Sequence, residues 1–137
     1  MKEPLTGNGR AINYRHTPIV RMTNTFIDPG DTPFEDMIAD VKEGLYACGH
    51  MGGSTTKEQF IFNGAYGYMI RDGKLAEMVR PLTLTGNVFR TLHDIDAVGD
   101  DQAWHQLGYC GKQGQRGHPT SKGCPHIRVK SLVVGGR

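Results

Sequence analysis

The apolar positions of this chain change period several times. Phe34, Met37, Ile38, Val41 and Leu45 recur at helical spacing, and Glu35, Asp36, Asp40, Lys42 and Glu43 mostly take the other side. Thr32-Pro33-Phe34-Glu35 precedes this stripe as a capping box with proline at the first helical position, and Gly44 is the expected stop. Val20 to Ile27 alternates Met22, Asn24 and Phe26 against Thr23, Thr25 and Ile27, which predicts a strand. Leu45 to Gly49 predicts a short strand, His50-Met51-Gly52-Gly53-Ser54 a glycine-rich loop, and Phe60-Ile61-Phe62 a buried strand.

Tyr66–Arg71 and Lys74–Arg80 flank Asp72-Gly73, a two-residue hairpin signal of the type I′ kind. A regular register from that turn pairs Ile70 with Leu75, Tyr68 with Glu77 and Tyr66 with Val79. Asn87 predicts the cap of a short helix carrying Val88, Phe89 and Leu92, followed by an extended Ile95–Val98. Gln102 to Lys122 shows little period and much glycine, so it reads as a long irregular segment. Ile127–Val134 is the closing strand. The sum is an α+β domain, β-rich and mostly antiparallel, with one clear helix and one short one. Residues 1–17 read as a linker or lead-in, and 18–137 as the domain.

Composition sharpens this picture in two ways. Nineteen glycines and seven prolines among 137 residues predict many turns without reaching the bias of a disordered chain. The three cysteines, Cys48, Cys110 and Cys124, form no Cys-x-x-Cys pair, and no apolar run is long enough for a membrane span. A soluble, reducing, cytoplasmic setting fits these features.

Charge is asymmetric. From Gln102 onward six basic residues meet no acidic one, whereas the first 101 residues hold ten of the 16 basic and all 14 acidic residues. The +6 tail fits a basic edge facing an acidic surface of its own assembly. Nucleic-acid binding is the weaker reading, because the basic residues are dispersed.

No His-Glu-x-x-His, Walker A or Gly-x-Ser-x-Gly sequence is present, so no complete catalytic set is visible. The candidate for chemistry is Tyr109-Cys110-Gly111-Lys112-Gln113-Gly114-Gln115. A thiolate is a good zinc ligand, glycines let backbone approach closely, and Lys112 favours the charged form of the thiol. A lone cysteine in such a loop is also an ordinary structural residue. A self-contained zinc site from Cys110, Cys124, His118 and His126 is a further alternative, although the spacing matches no standard finger. Trp104-His105 is a candidate cleft lining.

A series of short motifs runs through the chain in order. They are Thr6-Gly7-Asn8-Gly9-Arg10, Arg21-Met22-Thr23-Asn24-Thr25, Gly44-Leu45-Tyr46 and Asn63-Gly64-Ala65-Tyr66-Gly67-Tyr68. Leu84-Thr85-Gly86-Asn87, Cys110-Gly111-Lys112, Gly114-Gln115 and Val133-Val134-Gly135-Gly136 complete the series. Together they resemble the C-terminal domain of the TldD/PmbA family.

The resemblance implies a cytoplasmic zinc metalloprotease that cleaves peptides, usually as a dimer of a TldD-like with a PmbA-like (TldE-like) subunit. Zinc in that family is held by two histidines of a His-Glu-x-x-x-His helix and one cysteine of the C-terminal domain. That cysteine matches Cys110, which points to the TldD side. The helix and its glutamate base are missing from this sequence, so the resemblance implies a shared zinc site completed by the N-terminal part of a TldD-like protein. The chain is then a fragment or one piece of a split enzyme, with no catalytic residue of its own and its substrate-binding residues unassigned. The alternative is a non-catalytic binding or assembly domain that docks a partner subunit.

Overall fold

The computed structural model describes residues 4–136; Met1–Glu3 of the expected lead-in and Arg137 of the basic tail lie outside the described residues. Along the chain run β1 (Gly9–Arg10), β2 (Ile19–Val20), β3 (Asn24–Phe26), α1 (Phe34–Ile38), β4 (Glu43–Thr56) and β5 (Gln59–Arg71). Then come β6 (Lys74–Val79), β7 (Leu82–Asn87), α2 (Val88–His93), β8 (Ile95–Val98), β9 (Ala103–Lys112), β10 (Gln115–Cys124), β11 (Ile127–Val129) and β12 (Val133–Gly136). This is the expected β-rich α+β class. The chain divides into two compact units, one made of the residues up to Pro29 with Gln102–Pro125, the other of Gly30–Asp101 with His126 onward.

In the first unit β1 pairs antiparallel with β2, and a three-stranded sheet runs in the order β3-β10-β9. The expected strand from Val20 to Ile27 is broken in two. Arg21 turns its side chain into the protein, and its backbone N–H bonds Asn8 O at 2.8 Å rather than a ladder partner. The segment expected to be irregular is instead a hairpin, β9–β10, closed at Gln113-Gly114 with φ of +50° and +78°. Positive φ at both turn residues is the twist-compatible hairpin geometry. Glycine-rich strands carry too little alternation to announce it.

In the second unit β12, β7, β5 and β4 form one sheet, with β6 pairing the far half of β5, while β8 pairs with β11. The long β4 absorbs both the expected short strand and the expected loop at His50–Ser54. A bulge between His50 and Gly53, with Gly52 at φ +110°, takes up the irregularity.

The Asp72-Gly73 turn forms as expected, with φ of +46° and +76°, and pairs Ile70 with Leu75. Beyond it the register slips by one, so Tyr68 meets Met78 and Gly67 meets Val79, not the partners expected from a regular ladder. The expected closing strand splits because Lys130 donates its N–H to Asp94 O at 2.9 Å between β11 and β12.

The helix α1 is shorter than its apolar stripe. Its first flanking residue is Pro33 with no side-chain cap, so the expected capping box does not form. Thr32 is instead held extended, in a parallel bridge to Gly99. The helix ends at Ile38, and the Asp72 and Gly73 N–H groups bond Lys42 O and Val41 O, each at 2.9 Å. Its Met37 and Ile38 are buried, as are Ile70 of β5 and Leu82 of β7. Phe62 and Ile61 are more exposed than expected of a buried strand. Asn87 caps α2 as expected, its side chain accepting from Arg90 N.

Candidate metal-ligand site around Cys110

Cys110 lies on β9, three residues before the Gln113-Gly114 turn, and pairs in register with His118 of β10. Direct cross-strand partners present their side chains to the same face. The ladder slips by one residue between Gln115 and His118, and Gly117 sits there at φ +76°. Cys110 therefore stands beside a bulge in a strand, not in the open glycine loop expected from sequence.

Two buried polar side chains organise this end of the hairpin. Arg21 is 3% exposed and Gln115 is 5% exposed. The Arg21 guanidinium donates to Cys110 O at 2.7 Å, to Gln115 O at 3.1 Å and to Gln115 Oε1 at 3.4 Å. Gln115 Oε1 also accepts the Ile12 N–H at 3.0 Å, and its Nε2 donates to Thr17 O at 3.0 Å. Lys112 Nζ donates to Val20 O at 2.9 Å, and Arg10 donates to Met22 O. Residues 8–22 are thus stitched to the β9–β10 turn.

The electrostatics shift the Cys110 thiol toward ionisation. Burial opposes charge on Cys110, but the Met22 backbone N–H, the Arg21 side chain and Lys112 together outweigh it, and the thiol titrates below its ordinary value. The expected influence of Lys112 is present, with Arg21 acting beside it. His118 also titrates low, through desolvation first and then the nearby Arg10 and Arg21 charges. A neutral imidazole and an anionic sulfur are the forms in which these groups ligate a metal.

The other candidates lie elsewhere. Cys124 is at the far end of β10, and His126 belongs to the second unit. There Tyr46 Oη lies 2.6 Å from His126 Nε2, and the other imidazole nitrogen meets the Asp101 carboxylate. Among the described residues no three His, Cys, Asp or Glu side chains gather as a metal-binding group. The self-contained zinc site is therefore not formed. Trp104 packs its ring on Phe26, with centroids 5.2 Å apart, and both remain half exposed. Of the basic tail, Arg128 is taken up by Asp96 at 2.8 Å and Asp40 at 2.6 Å within its own unit.

Sequence reasoning from residue types missed Arg21 and Gln115 as site residues. Nothing in their local pattern marks them as buried, although both fall inside the motifs that carried the family resemblance.

The fold is β-rich, and the β9–β10 hairpin of the first unit carries Cys110. Residues 1–136 match the PmbA/TldA metallopeptidase C-terminal domain. The chain is 48% identical over 134 residues to metalloprotease slr0863 of Synechocystis sp., covering 98% of this chain and 29% of that protein. It is 37% identical over 135 residues to the zinc metalloprotease TldD homolog of Saccharolobus solfataricus, covering 98% and 30%. Among solved structures, TldE from Thermococcus kodakarensis shares the fold, with a TM-score of 0.71 and 20% identity over 95% of this chain and 27% of that one. This chain belongs to the PmbA/TldD metallopeptidase family, as its C-terminal domain. It spans less than a third of the length of these curated relatives.

Proposed function

We propose that this chain is the C-terminal domain of a TldD-type zinc metallopeptidase that cleaves peptides, and that Cys110 is its contribution to the metal site. The observation that carries the reading is the environment of Cys110: a strand-borne thiol beside Arg21 and Lys112, which shift it toward its charged form. A single soft, anionic ligand suits zinc as one member of a shared set. Zinc in such a set polarises a scissile carbonyl and activates water.

This chain's residues hold and present the sulfur. Arg21 and Gln115 fix the backbone beneath it, and Lys112 braces the hairpin against Val20. The two histidines and the glutamate base of a His-Glu-x-x-x-His helix come from outside this sequence, from the N-terminal part of a TldD-like protein. A TldE-like subunit or a second copy completes the assembly, in a cytoplasmic setting. Edge strands such as β9, whose one neighbour among the described residues is β10, suit the backbone pairing of an extended peptide.

A reading of the chain as an assembly domain is favoured by a different observation. Phe26, Trp104 and Tyr109 of the first unit are large apolar side chains left exposed. A dimer of the isolated chain in light scattering supports that role; a strict monomer counts against it.

Zinc content decides the metal assignment. Zinc is measured in the chain alone, in its mixture with a protein carrying the His-Glu-x-x-x-His helix, and in the mixture with Cys110→Ala. Zinc retained only in the unmutated mixture supports the proposal. Undiminished zinc in the Cys110→Ala mixture sinks it.

A further inference from the structure

We propose that Arg21 and Gln115 are the positioning residues of the metal site: they set where the Cys110 backbone sits and so where its sulfur points. The inference rests on reading Cys110 as the ligand, and it adds two residues that act through it.

Three observations converge. First, the ladder is irregular on the turn side of the ligand. The register slip between Gln115 and His118 and the positive φ of Gly117 interrupt the regular β9–β10 pairing next to Cys110. Ladder bonds alone therefore do not fix this stretch of β9.

Second, one guanidinium spans the irregularity. A single Arg21 nitrogen bonds the carbonyls of Cys110 and Gln115, one on each strand flanking the turn, at 2.7 and 3.1 Å. The other terminal nitrogen approaches the Gln115 side chain at 3.4 Å. Gln115 is itself anchored to Ile12 N and Thr17 O. The fork is thus clamped from both sides, and a planar group with fixed donor directions transmits that geometry to Cys110.

Third, stability alone does not call for this arrangement. Among the described residues no carboxylate pairs with Arg21, and its Nε is buried without a partner. Burying a cation on carbonyls alone is a poor route to stability compared with apolar packing. The arrangement makes sense where geometry at Cys110 matters.

The test uses the complete protein, this chain together with the segment that supplies the other ligands, with cobalt(II) in place of zinc. Arg21→Lys keeps the charge and loses the fork. Gln115→Met removes the anchor. Cys110→Ser removes the ligand. The readouts are cobalt affinity, the near-ultraviolet thiolate-to-cobalt absorption, and the melting temperature of the metal-free protein.

Loss of the absorption in Cys110→Ser is expected. With Gln115→Met or Arg21→Lys, cobalt affinity should fall about 10- to 100-fold and the absorption should shift or weaken, with the melting temperature kept in at least one of them. Wild-type affinity and absorption in both positioning variants overturn the proposal and leave Cys110 as the ligand. A fall in affinity seen only with a matching fall in melting temperature overturns it too, as mere stability. Unchanged absorption in Cys110→Ser removes the reading of the ligand itself, and the inference with it.

Discussion

Replacing Gly73 by alanine tests how the second unit is locked. Gly73 is the second residue of the β5–β6 turn, at φ +76°. A methyl group there would meet Ala39 O at 2.5 Å, Ala39 C at 3.1 Å and Ala39 Cα at 3.2 Å, all backbone atoms that cannot rotate away. An L-residue in this left-handed region costs about 1–2 kcal/mol. Relief of the contact moves the turn off the helix end and breaks the bonds from Asp72 N to Lys42 O and from Gly73 N to Val41 O. At about 1 kcal/mol each, they add roughly 2 kcal/mol. Gly73→Ala should therefore lose about 3–4 kcal/mol.

Gly73→Asn separates the two contributions. Asparagine tolerates left-handed backbone, so most of the conformational cost disappears, while the β-carbon contact remains. It should still lose about 2 kcal/mol, the share of the two bonds. Urea unfolding followed by far-ultraviolet circular dichroism measures both variants against the parent. An asparagine variant as stable as the parent would refute the contact argument and leave the turn conformation as the whole cost.

Three further outcomes are expected. Burial raises the Cys48 thiol whereas Cys110 is lowered, so iodoacetamide at neutral pH should label Cys110 before Cys48; mass spectrometry showing Cys48 ahead would contradict this. Asp101 is lowered by the His126 N–H and then its imidazole, and Asp96 by the Arg128 hydrogen bond, so their contributions are complete above the ordinary aspartate value of 3.8 and fade as pH falls below it. An acid titration with Asp96→Asn and Asp101→Asn should show a smaller loss over that window than the parent; an identical loss would count against both pairings. Arg128→Met removes a two-pronged contact to Asp96 and the bond to Met37 O, and should cost about 2 kcal/mol in urea unfolding.

What the sequence made legible follows from the range of the interactions involved. The Asp72-Gly73 turn, the Asn87 cap and β8 are decided within a few residues, and each appears where the pattern put it. The capping box failed because Thr32 has a competing partner in Gly99, far along the chain. The β9–β10 hairpin was hidden because Gln113 is a weak turn signal and its strands are interrupted by glycines. Cys110 is singled out by the ordered motifs of the family. Its setting is not, because Arg21 and Gln115 matter only through contacts 94 positions apart.

The first unit is assembled from two stretches of chain with the whole core of the second strung between them. Arg21 and Cys110 stand 89 positions apart, and β3 runs parallel to β10 with the same long detour. Closing so large a ring has an entropic cost before any contact is gained, and such pairings are slow to form. The hairpins of the second unit are local, and their formation shortens that detour. This topology predicts assembly from the inserted segment outward, with the contacts around Cys110 forming late. Until that ring closes Cys110 is apart from Arg21, so the bond from the guanidinium to the Cys110 carbonyl forms only when both ends have met.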